Sequence, residues 1–275
     1  MKRTYYSLAI GALMALIALG LELLFPDSAL ELIFGRPALF AEGWPYWLYF
    51  IVVMGLAFSL MTKAYDLIDL RLPGNAFYKT VVYVACELLL WLLYTAEPLP
   101  HLDLPSLTIN LLKGFIIFLV QYQLIRRYLA TERYHYQRKA FLYWRGIAVF
   151  TASFAVFRTL GNLAFDLYQL PRNLMAFSIL WASLMGFAVG LVFCFLQRYL
   201  SKQDKKGKTF QFSFNFFSPL VISYHLFLVL SYDLDAVGLL IRIALDILAV
   251  LVASWIVSQW QIDEFIDYDQ ADSQT

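Results

Sequence analysis

The sequence predicts an all-α integral membrane protein, a bundle of about eight transmembrane helices. Three observations predict it. Hydrophobic residues fill 61% of the 275 positions and charged residues only 15%, against roughly 45–50% and about 25% in soluble domains. The mean hydropathy is +0.65. The apolar residues also gather into eight stretches that meet or approach the ~20 residues a helix needs to cross hydrocarbon. A spanning segment must satisfy its own backbone, so each stretch reads as a helix. A β-barrel would need alternating ten-residue strands, which are absent. The net charge of +1 leaves no strongly basic surface for nucleic acid, and the lipid bilayer is the first partner implied.

The first stretch, 4–25, follows Lys2 and Arg3 and starts like a signal peptide. It ends Leu23-Leu24-Phe25-Pro26-Asp27 without a small-residue cleavage site, so it reads as a retained helix. The connection 26–45 is amphipathic and aromatic-rich. It reads as an interfacial connector, the alternative being a lid over an outer cavity. The stretches 46–62 and 78–95 are short and would be lengthened by Trp44, Tyr46 and Tyr78. The stretches 107–125, 141–165, 174–197, 210–231 and 237–258 complete the eight. Cys86 and Cys194 fall within them and read as apolar packers. The expected divisions are a first four-helix half (1–128), a basic connection (129–140), a second four-helix half (141–260) and an acidic tail (261–275).

Lys and Arg set the orientation. Fifteen of the 21 basic residues sit at the N-terminus or in the second, fourth and sixth connections. Lys63, Arg71 and Lys79 are in the second, Arg126 to Lys139 in the fourth, and Arg198 to Lys208 in the sixth. Only Arg36 and Arg172 lie in the opposite connections. Both termini are therefore expected on the cytoplasmic side of a cell membrane.

The two halves carry a trace of duplication. Met54-Gly55-Leu56-Ala57 returns as Met185-Gly186-Phe187-Ala188, a shift of 131. Two four-helix repeats in the same orientation would be related by an axis along the membrane normal. Chance likeness between apolar segments is an equal alternative. Gly55 and Ser59, and likewise Ala182, Gly186 and Gly190, are spaced four apart. They are expected to let helix backbones approach closely.

Ionisable groups inside a bilayer are costly and tend to face the bundle interior. Glu22, Glu87, Lys113, Arg158, Asp166, His225, Arg242 and Asp246 form such a set, with Asn110, Asn162, Gln121 and Gln123 adding neutral polarity. Most fall in the outer half under the expected orientation. Arg242 and Asp246, four apart on one helix face, could neutralise each other. Glu87 could pair with Lys113 on the neighbouring helix. The competing reading is a structural ion-pair network with no ligand.

No catalytic motif organises these groups. His-Glu-x-x-His, Gly-x-Ser-x-Gly, P-loop and dinucleotide fingerprints are missing. His101, His135 and His225 lie on separate segments, so no metal site and no cofactor is expected. The leading expectation is binding or transport of a small solute through a polar interior open to the outer side. The solute would be anionic if Lys113, Arg158 and Arg242 set its charge, with Glu87, Asp246 and His225 as counter-charge or proton carriers. The alternative is a non-catalytic accessory or regulatory subunit that docks a membrane-protein partner through the basic connections. The third is an intramembrane enzyme on a lipid-linked substrate, with Glu87 and His225 as acid and base.

Overall fold

The computed structural model describes residues 2–26, 35, 37, 43–97, 104–132, 143–165 and 175–272. Eight helices among them are long and apolar enough to cross a membrane: α1 (Lys2–Leu24), α2 (Trp44–Leu67), α3 (Ala76–Thr95), α4 (Leu104–Tyr128), α5 (Trp144–Phe165), α6 (Met175–Leu196), α7 (Lys205–Ser231) and α8, which crosses over Ala236–Trp260 and continues as helix to Asp272. At 1.5 Å per residue the 20-residue α3 is ~30 Å long, matching the hydrocarbon thickness. The outward faces are apolar, with Leu56, Leu60, Phe115, Leu160, Leu184 and Leu240 all exposed. A surface of that kind belongs against lipid. The bundle is a multipass membrane protein.

Local chemistry sets the helix ends. The Asn75 side chain accepts from the Tyr78 amide at 2.9 Å and starts α3. It follows Gly74, whose φ of 96° is open to glycine at little cost. Asp204 accepts from the Gly207 amide at 3.0 Å and starts α7. Pro45 occupies the first turn of α2, where its missing N–H costs nothing.

Helix α7 is not regular. Its residues Gln211–Phe217 form a π-helical stretch, and the Ser218 amide reaches back to the Ser213 carbonyl. Pro219 follows. A proline ring clashes with the carbonyl four residues before it and offers no donor. Widening the preceding turns relieves that clash, at the expense of regular spacing.

The helices contact one another in a regular scheme. The most extensive pairs are α1 with α2 and α5 with α6. The other main contacts join α1 to α4, α3 to α4, α5 to α8, α7 to α8, α2 to α7, α3 to α6 and α3 to α7. Exchanging α1–α4 for α5–α8, in order, maps this set onto itself. Helices α3 and α7 meet each other and also reach α6 and α2, so they form the seam between the halves.

Small residues bring the two tightest pairs together. A Cβ on Gly11 would strike the Gly55 carbonyl and the Ser59 side chain, and one on Gly55 would lie 3.3 Å from the Ala12 Cα. In the other pair, a Cβ on Gly186 would lie 2.6 Å from the Phe150 carbonyl oxygen and one on Gly190 would lie 3.0 Å from the Ile147 Cα. Ala182 is buried on the same helix. Aromatic rings fill the remaining core. Phe212 packs edge-on against Phe193 at 4.9 Å, and Trp91 packs edge-on against Tyr224 at 5.3 Å.

The basic connections share one end of the bundle. There Arg3 donates to Asp66 at 2.8 Å, to buried Asp69 at 2.7 Å and to the Leu129 carbonyl at 3.1 Å. Lys79 reaches the Asp69 carbonyl at 2.7 Å, and Thr131 holds both Asp69 carboxylate oxygens at 3.1 Å. Arg71 donates to the Leu200 carbonyl at 2.8 Å and ties the halves together. We call this end the basic face. The Thr209 hydroxyl lies 3.4 Å from that of Ser258, so the last turns of α8 before Trp260 reach the same end.

Candidate functional site

Among the described residues, three groups of buried polar side chains lie within the bundle away from the basic face, with His225 beside them. In the first half, Lys113 of α4 donates to Glu22 of α1 at 2.7 Å, and the Tyr232 hydroxyl donates to the other Glu22 oxygen at 3.1 Å. Lys113 and Glu22 are both almost fully buried. A cavity of about 30 Å³ adjoins Lys113, lined also by Asn110, Thr95, Tyr224 and Tyr232. It has room for a water or two and no more.

In the second half, Arg158 of α5 holds Asp246 of α8 in a two-point grip, Nε to Oδ1 at 2.5 Å and Nη2 to Oδ2 at 2.6 Å. Its Nη1 donates to Glu97 at 3.0 Å. The Tyr94 hydroxyl donates to Asp246 at 2.8 Å. The guanidinium lies 5.1 Å from the ring centre of Trp181, whose indole N–H donates to the Leu93 carbonyl at 2.7 Å. A planar cation with a fork of donors suits such a site better than an ammonium. Arg242 lies within electrostatic reach of Glu97, Arg158 and Asp246. Glu97 sits just past the end of α3. Burial pushes its carboxyl above the ordinary carboxylate range, against the pull of Arg158 and Arg242.

The third group is at mid-depth. Glu87 of α3 accepts from the Tyr83 hydroxyl at 2.6 Å and from the Gln121 amide of α4 at 2.8 Å. The Tyr83 hydroxyl also touches the Met61 carbonyl. His225 is elsewhere. Its Nδ1 lies 2.9 Å from the Val221 carbonyl, and its ring meets those of Tyr94 and Tyr224. Its Nε2 is buried without a hydrogen-bond partner among the described residues.

One expected pairing is therefore corrected. Lys113 pairs with Glu22 and not with Glu87. Asp246 gives both oxygens to Arg158 of another helix, with Arg242, four residues away, within electrostatic reach. Glu87 and His225, the expected acid and base, share no hydrogen-bond partner among the described residues. Tyr94, which meets His225, is seven residues beyond Glu87, ~10 Å along the helix axis. The structure brings Arg158, Asp246 and Arg242 into one cluster with His225 at its edge, and holds Lys113 and Glu87 apart from it. Asp166, His101, His135 and the expected interfacial helix and lid at 26–45 lie outside the described residues, apart from Pro26, Gly35, Pro37 and 43–45.

Glu97, Tyr94, Trp181 and Tyr232 were not expected as site residues. Glu97 follows α3 directly, and a carboxylate at a span end opposite a buried arginine was the available signal. Among the described residues no three His, Cys, Asp or Glu side chains are grouped to hold a metal ion. No family model, curated protein or solved structure matches this chain.

Proposed function

We propose that the protein binds or transports a small anionic solute along the seam between two parallel four-helix repeats. The supporting observation is the contact scheme that maps onto itself when α1–α4 are exchanged for α5–α8. Transporters built from parallel repeats place their sites near the midplane at the repeat interface. Here that interface is α3 with α7, which carries Glu87, Tyr94, Tyr224 and His225.

On this reading both charged groups are closed gates. Each joins helices that occupy matching places in the two halves, α1 with α4 and α5 with α8. A solute anion would compete with Glu22 for Lys113 beside the small cavity, or with Glu97 for Arg242. Apolar side chains of similar volume would hold the helices at least as firmly as buried ion pairs. Breakable pairs between helices therefore favour motion over rigidity. With the basic face in the cytoplasm, the gates face outward.

Purified protein in sealed vesicles, given labelled phosphate, sulfate and a short dicarboxylate, tests the proposal. Uptake or binding of one anion that falls at least tenfold in both Lys113→Ala and Arg242→Ala is the expected result. Handling of all three at the level of empty vesicles rejects these anions as solutes. Handling unchanged by both substitutions removes the two cations from the mechanism. The second reading, a non-catalytic subunit of a membrane complex, is favoured by how completely Arg158 and Asp246 satisfy each other. A stoichiometric protein partner recovered from membranes would support it.

A further inference from the structure

A second cavity lies away from the three buried polar groups. It is a groove of about 410 Å³ between the end of α2 and the π stretch of α7, lined among others by Leu60, Lys63, Asp66, Phe214, Asn215 and Pro219. Its size falls within the ~300–1,000 Å³ of ligand sites. Small Ala57 and Ala64 form the α2 wall, and the turn widened ahead of Pro219 forms the other.

The groove is graded. Helices α2 and α7 run antiparallel, so Lys63, Asp66 and Asn215 stand toward the basic face while Ala57, Pro219 and Ile222 lie deeper. Leu60 and Phe214 are 57% and 40% exposed, so the groove opens sideways where lipid lies. Its charge is also graded. Arg3 takes up Asp66 at 2.8 Å. Lys63 is exposed and makes no ion pair or hydrogen bond among the described residues. One cation without an ion-pair partner among the described residues thus stands over an apolar channel, four residues from the basic-face end of α2. The matching place in the other half lacks it, since Cys194 stands 131 residues after Lys63.

We propose that this groove is a binding site for one anionic phospholipid of the leaflet on the basic-face side. Its phosphate lies against Lys63 and the Asn215 side chain, and an acyl chain runs between Leu60 and Ile222. The lipid seats against the irregular part of α7, so its occupancy is coupled to the geometry of that helix. A neutral zwitterionic lipid fits the channel but gains less from the cation.

The full-length protein in neutral detergent, offered phosphatidylglycerol or phosphatidylcholine with identical chains and examined by native mass spectrometry, tests this. The expected result is one phosphatidylglycerol retained in preference to phosphatidylcholine. Lys63→Gln lowers that preference about fivefold, the factor carried by one lysine near an anionic surface, and Lys63→Arg keeps it. Undiminished preference in Lys63→Gln overturns the proposal. Displacement of the lipid by inorganic phosphate alone also overturns it, because the site would then be one for a free anion. A second copy of the chain held in place of lipid overturns it as well. Lys113→Ala leaves the lipid preference unchanged, which separates this site from the proposed solute path.

Discussion

The two halves of the bundle are wired alike and charged differently. In the first, α1 and α4 are joined by one lysine, one glutamate and a tyrosine hydroxyl, with a small cavity beside them. In the second, α5 and α8 are joined by a two-point arginine–aspartate grip, reinforced by Glu97, Tyr94 and the Trp181 ring. The same helix neighbours can therefore carry a dense lock on one side and a looser latch on the other. Helix contacts are set by small and apolar residues over many turns. The polar content is set by a few positions and can differ without disturbing those contacts.

The sharpest way to break this comparison is to remove one partner of the lock. Arg158→Ala strips buried Asp246 and Glu97 of the guanidinium that hydrogen-bonds both and should cost ~3–5 kcal/mol, read as a large drop in unfolding temperature or loss of folded protein in detergent. The paired change Arg158→Met with Asp246→Leu should recover most of that loss. If it does not, the grip does more than neutralise itself.

Next in size is the contrast between the tight helix pairs. Gly186→Ala puts a methyl 2.6 Å from the Phe150 carbonyl oxygen, while Gly55→Ala puts one 3.3 Å from the Ala12 Cα. Overpacking at Gly186 should cost ~1–3 kcal/mol, and Gly55→Ala is expected to cost less. Equal unfolding temperatures for the two would show that α1–α2 and α5–α6 tolerate strain alike.

The latch should be weaker than the lock. Glu22→Gln keeps a hydrogen-bond acceptor for Lys113 and lies near space for water, so a loss of ~1–3 kcal/mol is expected, less than for Arg158→Ala. A greater loss, measured by the same unfolding assay, would reverse the ranking of the halves.

The smallest expected effect is a pH dependence. The folded Glu97 carboxyl titrates above its unfolded value, near 4.3 in a free chain. Folding therefore favours its protonated form. The stability it contributes is complete below that unfolded value and is lost as pH rises through the folded one. Glu97→Gln should flatten that part of the unfolding-temperature profile against pH.

The spans were legible because a membrane crossing is written in local composition. Trp44 and Tyr78, expected to extend the two short stretches, lie within α2 and α3. Which charges meet was not legible. Lys113 finds Glu22 91 residues away and Arg158 finds Asp246 88 residues away, and such choices depend on how each helix is rotated about its axis. The stripe on α2 was visible as Gly55 and Ser59, but its partner Gly11 was not, because a lone glycine in an apolar run carries no spacing signal. The groove at Lys63 was also hidden, since it depends on a widened turn that residue pattern alone does not announce.

That widened turn has a geometric consequence. Residues along an α-helix step around its axis by on the order of 100° each. The five-residue reach from Ser218 back to Ser213 therefore offsets the angular phase of everything that follows in α7. Tyr224 and His225 face α3 because of that offset. Were the turn to tighten to ordinary spacing, both rings would swing aside together by about one such step, and the two halves would lose the aromatic surface on which they meet.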